Sequence, residues 1–248
     1  MKNGFVIKLI IFFLAASVGL AAIAFFLGEI SLPSSAWRDA AASADVPKYT
    51  TVIIDAGHGG EDGGTSSSSG LIEKDVNLEI AKLIAQSLEK QGFIVVMTRI
   101  DDRLLYDPDS DYHGRKKKLD LAARLEIMKQ YDNAIFVSIH MNAFTDKSCS
   151  GLQVWYSKNL PESYELAKTI QNNARLRLQP DNKRVVKAAT SAIHILENAT
   201  CPAVLIECGF LSNPGEASLF ESAEHRSKVA QNIAYSISEF LKTADQSS

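Results

Sequence analysis

Short apolar runs alternate with amphipathic stretches along most of this chain, and the two patterns predict strands and helices in turn. The runs are continuous and rich in β-branched residues, which is typical of buried strands. We predict strands at residues 49–55, 93–97, 134–139, 151–156, 193–196 and 203–206. Apolar residues at helical spacing predict helices at residues 73–92, around Leu121, Leu125 and Met128, at residues 162–178, and along Val229, Ile233 and Ile237.

This alternation predicts an α/β fold. Strands that are apolar throughout, with helices between them, indicate a parallel sheet covered on both faces. Asn213 followed by Pro214 predicts the start of a further helix, because Asn caps helices and Pro suits their first turn. We therefore predict a single three-layer domain with a mostly parallel sheet of about six strands flanked by helices, preceded by an N-terminal hydrophobic helix.

The hydrophobic helix is predicted at residues 9–28, a stretch of twenty residues without a charge. A helix of this length spans roughly 30 Å of hydrocarbon. Lys2 and Lys8 precede the stretch and Glu29 follows it, so the rest of the chain is predicted to lie outside the membrane. Residues 42–44 match the small-residue pattern of a signal-peptide cleavage site, but they lie far beyond the end of the apolar stretch. This favours an uncleaved anchor over a secretion signal.

The sequence divides into four predicted segments. Residues 1–28 form the transmembrane anchor or signal segment, and residues 29–48 have the Pro, Ser and Ala content of a linker. The catalytic domain is predicted at residues 49–243, with a short tail at residues 244–248.

Composition and charge exclude some classes of function. Of 248 residues 46% are hydrophobic, which is typical of a folded globular protein. The 26 Lys and Arg residues against 29 Asp and Glu residues give a net charge of -3. A chain without a basic excess is unsuited to neutralising phosphates, so no nucleic-acid partner is predicted. Three widely separated cysteines offer neither a disulfide framework nor a Cys-x-x-Cys zinc site.

Four side chains stand where such sheets bind ligands, beyond the carboxyl ends of the strands. His58, His140 and Glu207 follow or end predicted strands, and Glu73 opens the first predicted helix. Two histidines and one carboxylate leave a coordination position of zinc open, as in catalytic sites. Glu207 is the remaining carboxylate, placed to take and return a proton. The predicted chemistry is hydrolysis of an amide or an ester.

Glu207 and His194 each have an alternative interpretation. Glu207 stands in an apolar run and needs a partner, which a buried salt bridge to Arg99, Arg115 or Arg124 would also supply. His194 is more typical of a core or surface histidine than of a ligand.

The glycine-rich loop at residues 57–70 lacks the spacing of a phosphate-binding loop and contains Glu61 and Asp62, which would repel phosphate. We instead expect the loop to bend around a metal ion. Its flexibility is expected to leave Glu73 less firmly positioned than the histidines.

Four motifs carry a resemblance to a known family: IDAGHGGEDGG, LIEKDVNLEIA, VSIHMNA and AVLIECGFLSNPGEASLF. Over residues 51–241 the chain resembles the zinc-dependent N-acetylmuramoyl-L-alanine amidases of the amidase-3 family, closest to its sporulation and germination branch. The resemblance implies zinc ligands at His58, Glu73 and His140 and a catalytic glutamate at Glu207. Ala56 departs from the family pattern, which has proline there.

The resemblance implies that the chain cleaves the amide between N-acetylmuramic acid and L-alanine in peptidoglycan. In that branch the reaction prepares muramic-δ-lactam in the spore cortex for germination, and a deacetylase completes it. Asn142 and Arg115 are possible substrate contacts, with structural roles equally compatible. A membrane-anchored or secreted enzyme at the forespore cortex is expected. An accessory activator protein is also expected, because it would order the loop before Glu73. The alternatives are a non-catalytic cell-wall binding or regulatory module and a zinc carboxypeptidase.

Overall fold

The computed structural model describes residues 48–106 and 114–246. The strands are β1 (Thr51–Ala56), β2 (Ile94–Met97), β3 (Ala134–Asn142), β4 (Gln153–Tyr156), β5 (Lys187–Ala188) and β6 (Ala203–Phe210). The helices are α1 (Glu73–Glu89), α2 (Lys116–Lys129), α3 (Glu162–Arg177), α4 (His194–Glu197), α5 (Pro214–Glu221) and α6 (Ala223–Gln246). The predicted hydrophobic helix lies outside the described residues, as does nearly all of the predicted linker. Within the described part, no helix has the length and apolar character needed to cross a membrane.

The six strands form one sheet in the order β2-β1-β3-β6-β4-β5. All neighbouring strands are parallel except β4, which runs antiparallel to β6. This confirms the predicted α/β fold with a mostly parallel sheet. The long strands β1, β3 and β6 occupy the middle of the sheet and are buried along nearly their whole length, which explains their apolar sequences.

Helices cover both faces of the sheet. Alternate residues of β1 point to opposite faces, so Val52 and Ile54 join one core whereas Ile53 joins the other. The first core contains buried residues of α1, α3 and α6, and the second contains buried residues of α2 and α4. The domain therefore has the three layers that the sequence predicts.

The strand predicted at residues 193–196 is wrong. These residues form the single helical turn α4, where Leu196 N donates to Ile193 O at 3.0 Å. Ile195 and Leu196 are both buried in the second core, a placement that one helical turn permits and a strand does not, because successive strand residues point to opposite faces. The sheet edge is instead formed by the two-residue strand β5, which the hydrophobic pattern does not reveal.

Candidate active site and metal centre

The three central strands bring the predicted site residues to one edge of the sheet. His58 follows β1, His140 lies near the end of β3, and Glu207 lies on the neighbouring strand β6 as the register partner of His140. Glu73 is the first residue of α1. Because β1, β3 and β6 are parallel neighbours, residues far apart in sequence converge here.

His58, Glu73 and His140 form a compact cluster of metal-binding atoms. Glu73 Oε1 lies 3.2 Å from His58 Nε2 and 3.0 Å from His140 Nδ1. One donor atom from each residue lies within 4.8 Å of the others. Two ligands held about 2.1 Å from one tetrahedral zinc ion lie roughly 3.4 Å apart. The spacing and the chemistry of these donors therefore fit zinc.

Glu73 is hydrogen-bonded at both carboxylate oxygens, although the loop before it is rich in glycine. Its Oε2 accepts the backbone N–H of Thr65 at 2.8 Å, and its Oε1 accepts the backbone N–H of Met141 at 3.0 Å. Burial alone would raise the pKa of Glu73, but hydrogen bonds from His140 and His58 lower it far below its ordinary value. The carboxylate therefore stays ionised and fixed between α1 and β3.

Asp62 orients His58, a role that the sequence interpretation missed. Asp62 Oδ1 lies 3.0 Å from His58 Nδ1, which leaves His58 Nε2 directed at Glu73. A carboxylate on the outer nitrogen fixes the ring and the tautomer of a ligating histidine. The spacing of four residues from His58 was the available signal, but from the sequence Asp62 is assigned only as a charge that repels phosphate.

Two buried arginines hold the backbone that carries His58. Arg124 Nη2 donates to His58 O at 2.8 Å, and Arg99 donates to Ala56 O at 2.9 Å and to Gly57 O at 3.0 Å. His58 has a positive φ of 62°, which is unfavourable for a residue with a side chain. These carbonyl contacts stabilise that conformation.

The proposed salt bridge between Glu207 and an arginine is not formed. Arg99 bonds backbone carbonyls, Arg124 pairs with Asp55 and Asp120, and Arg115 is exposed just before α2. Within the described residues, the buried Oε2 of Glu207 has no hydrogen-bond partner. Burial raises the pKa of this carboxyl to about 7. An orphaned carboxylate beside the donor cluster is suited to exchanging protons with a bound molecule.

Glu207, His58 and His140 line a cleft of about 230 Å³. Neither of the two predicted substrate contacts lies among the residues that form this cleft. The backbone carbonyl of Asn142 accepts from Leu211 N at 2.8 Å at the end of β3, and Arg115 borders an adjoining surface hollow. Their roles in binding substrate stay predictions.

Two glycines leave room for the side chains of the cluster. A Cβ atom on Gly57 would lie 2.3 Å from Cε1 and Nε2 of His140, and one on Gly64 would lie 2.4 Å from Glu73 Oε2. Both distances are far shorter than van der Waals contact. The glycine-rich loop is therefore required at these positions by close approach to the site side chains.

Known proteins share this arrangement of sequence and fold. The amidase-3 family model, described as N-acetylmuramoyl-L-alanine amidase, matches residues 52–239. The germination-specific N-acetylmuramoyl-L-alanine amidase of Bacillus subtilis strain 168 is 36% identical over 182 residues, which are 73% of this chain and 76% of that protein.

Solved structures match as well. The CwlD amidase from Clostridioides difficile, solved in complex with the GerS lipoprotein, has a TM-score of 0.73 and 36% identity, covering 78% of this chain and 99% of that one. An N-acetylmuramoyl-L-alanine amidase from Clostridium difficile 630 has a TM-score of 0.66 and 32% identity, covering 79% of this chain and 98% of that one.

Proposed function

Because this chain belongs to the amidase-3 family of N-acetylmuramoyl-L-alanine amidases, we propose that it uses zinc to release stem peptides from peptidoglycan in the spore cortex. Family membership confirms the resemblance carried by the sequence motifs and makes the chain an amidase acting on peptidoglycan. The observation that carries the catalytic proposal is the unpartnered carboxylate of Glu207 next to the cluster of His58, Glu73 and His140.

We propose that His58, Glu73 and His140 hold the zinc ion. When bound, zinc polarises a carbonyl group and makes water a nucleophile near neutral pH. Asp62 keeps the His58 ring oriented, and the backbone donors of Thr65 and Met141 keep Glu73 in place.

Glu207 is proposed as the proton carrier. Its carboxylate takes a proton from the attacking water as the water oxygen bonds to the lactyl carbonyl carbon. The same carboxyl then delivers the proton to the alanine nitrogen as the carbon–nitrogen bond breaks. The products are a free lactyl carboxyl group on the glycan and a peptide with a free amino terminus.

The proposal predicts that Glu207→Gln abolishes turnover and leaves metal binding intact. The amide has nearly the same shape but cannot accept the proton, so peptide release falls by about 10²-fold or more. Release is measured by mass analysis of digested peptidoglycan, and zinc by elemental analysis. Glu221→Gln, on the exposed end of α5, is the matched control with normal release. Release by Glu207→Gln at the normal rate would refute the assignment.

The same digestion separates the alternative functions. An amidase yields peptides that begin with L-alanine and glycan with intact lactyl groups. A zinc carboxypeptidase would shorten the peptides from their other end, and a binding or regulatory module would change no mass. Addition of a chelator to the wild-type enzyme is expected to stop release.

The biological setting is proposed from the relatives. The similar protein of B. subtilis is named as germination-specific, which supports a role in forming muramic-δ-lactam, with a deacetylase acting on the product. We propose that the enzyme works outside the membrane, anchored by residues 9–28 or secreted. The CwlD amidase of C. difficile was solved with a lipoprotein, which supports an accessory protein for this chain too.

A further inference from the structure

We propose that Lys117 and His194 form a subsite for the free α-carboxylate of the stem-peptide glutamate, the second residue from the bond that is cleaved. This inference rests on the proposed amidase function and extends it from the reacting amide to the peptide that leaves. It makes the two residues determinants of substrate specificity.

The cleft itself places these two residues near the cluster. Lys117, on the first turn of α2, and His194, the first residue of α4, line the same 230 Å³ cleft as His58, His140 and Glu207. Both helices pack on the same face of the sheet, in the second core. A molecule whose amide lies at the cluster therefore shares this cleft with the side chains of Lys117 and His194.

Lys117 differs from Arg124, the arginine of the cleft, in having no ion-pair partner among the described residues. Arg124 is paired with Asp55 and Asp120, and Asp62 contacts His58. Within the described part of the chain, Lys117 has no carboxylate at ion-pair distance, and it is exposed. Its neighbour Lys116 is paired with Glu61 at 2.7 Å. Lys117 is thus a cation of the cleft with no direct carboxylate contact, although its charge also acts on Asp62.

Hydrogen bonds set the tautomer of His194. The side-chain amide nitrogen of Asn198 donates to the backbone carbonyl of His194 at 2.9 Å and lies 3.3 Å from its Nδ1. Because that nitrogen is a donor, Nδ1 accepts, and the ring hydrogen resides on Nε2. His194 therefore presents an N–H donor, which suits a carboxylate oxygen as Lys117 does.

The chemical groups that line the cleft match the groups along a stem peptide. Leu121, Ile193 and Leu205 supply apolar surface in the cleft, which suits the methyl group of L-alanine. The next residue is glutamate, linked through its γ-carboxyl, so its α-carboxylate is free. At about 3.5 Å per extended residue, that carboxylate lies roughly 7 Å from the alanine nitrogen. Two donors and an apolar surface in one cleft are what such a ligand requires.

The test uses two synthetic muramyl peptides that differ in one group, with glutamate α-carboxylate in one and α-carboxamide in the other. The wild-type enzyme is expected to prefer the carboxylate about tenfold in kcat/KM, mainly through KM, because a charged hydrogen-bonded pair is lost in the carboxamide. Lys117→Gln is expected to cleave both peptides at the lower, similar efficiency. His194→Phe is expected to reduce the preference partially.

Lys118→Gln is the matched control. It removes the same charge from the same turn of α2, but Lys118 does not line the cleft, so the preference is expected to remain. Zinc content and thermal unfolding check that each variant is folded and loaded. A Lys117→Gln enzyme that keeps the wild-type preference would overturn the subsite. A wild-type enzyme that cleaves neither peptide would instead contradict the proposed amidase function.

Discussion

Among single residues, glycines matter to the site as much as its charged and imidazole side chains do. Gly57 and Gly64 leave the volume in which His140 and Glu73 lie. The sequence predicts three of the four principal residues from their positions at strand ends and Glu73 from its position at the start of a helix, and the structure brings them together. It did not predict Asp62 as a partner of His58, nor Arg99 and Arg124 as supports of the backbone. The four-residue spacing of Asp62 from His58 was a usable signal, whereas the arginine contacts to Ala56 and His58 link residues 43 and 66 positions apart and no local pattern encodes them.

Gly57→Ala is expected to weaken zinc binding by tenfold or more. The added methyl group would meet the His140 ring at 2.3 Å and displace it from the cluster. Affinity is measured by competition with a chelating dye. Gly63→Ala is the control, since its Cβ would lie 3.4 Å from Ile72 Cγ2, an ordinary contact, and neither glycine has a positive φ. Equal affinities for the two variants would contradict a role for the space at Gly57.

At the scale of elements, a buried ion-pair network joins β1 to α2. Arg124 pairs with Asp55 on β1 and with Asp120 one turn earlier on its own helix. Burial alone would raise the pKa of Asp55, but Arg124 and hydrogen bonds from Ser138 and Thr98 lower it below its ordinary value. The network therefore fixes the loop after β1 to the helix that carries Lys117.

Asp55→Asn is expected to lower the free energy of unfolding by about 3 kcal/mol at neutral pH, because it removes a partner of a buried charge. In the wild-type protein the folded pKa of Asp55 lies below its unfolded value of about 3.9. Its contribution is therefore complete above that unfolded value and is lost as the pH falls through the folded pKa. Denaturant titrations between about pH 2 and 7 should show a smaller acid-induced loss in Asp55→Asn. Glu126→Gln, exposed on α2, is the control, and parallel pH curves for Asp55→Asn and wild type would refute the assignment.

Long, buried strands and helices could be predicted from the sequence, and the short elements α4 and β5 could not. The bounds of β1, β3, α1 and α3 are predicted within a few residues, because their apolar patterns are long. For α2 and α6 the sequence predicts the helix but not its ends, and for β6 it predicts only the first half. Asn213 caps α5 as predicted, accepting from Gly215 N at 2.9 Å. The turn α4 and the strand β5 are too short to show a period. Their structures depend on packing against α2 and on pairing with β4.

At the scale of the whole molecule, the proposed metal site connects segments that are distant in sequence. His58 lies in the loop after β1, Glu73 begins α1, and His140 lies on β3. A ligand that binds the folded state and not the unfolded chain stabilises the whole domain by mass action. The predicted domain limits at residues 49 and 243 and the predicted anchor remain predictions, since hydrophobic length alone supports the anchor.

Zinc is expected to raise the melting temperature of metal-free protein. At a free concentration of 100 times Kd the gain is about 2.7 kcal/mol, or roughly 5–10 °C for a domain of this size. Differential scanning calorimetry measures the shift. Magnesium, which prefers oxygen ligands, is the control and should give no comparable shift. His140→Ala should lose the response to zinc. An unchanged melting temperature in zinc-treated wild type would argue against the site.

The proposed proton carrier lies on β6, which is synthesised after the segments that hold the proposed zinc ligands. Among the described residues β6 is the last strand, yet it lies between β3 and β4 in the middle of the sheet and carries Glu207. A nascent or truncated polypeptide that ends before residue 203 contains every proposed zinc ligand but lacks the proposed proton carrier. We therefore expect fragments of this hydrolase to be harmless to the envelope of the cell that makes them, with lytic capacity arising only on completion of the fold.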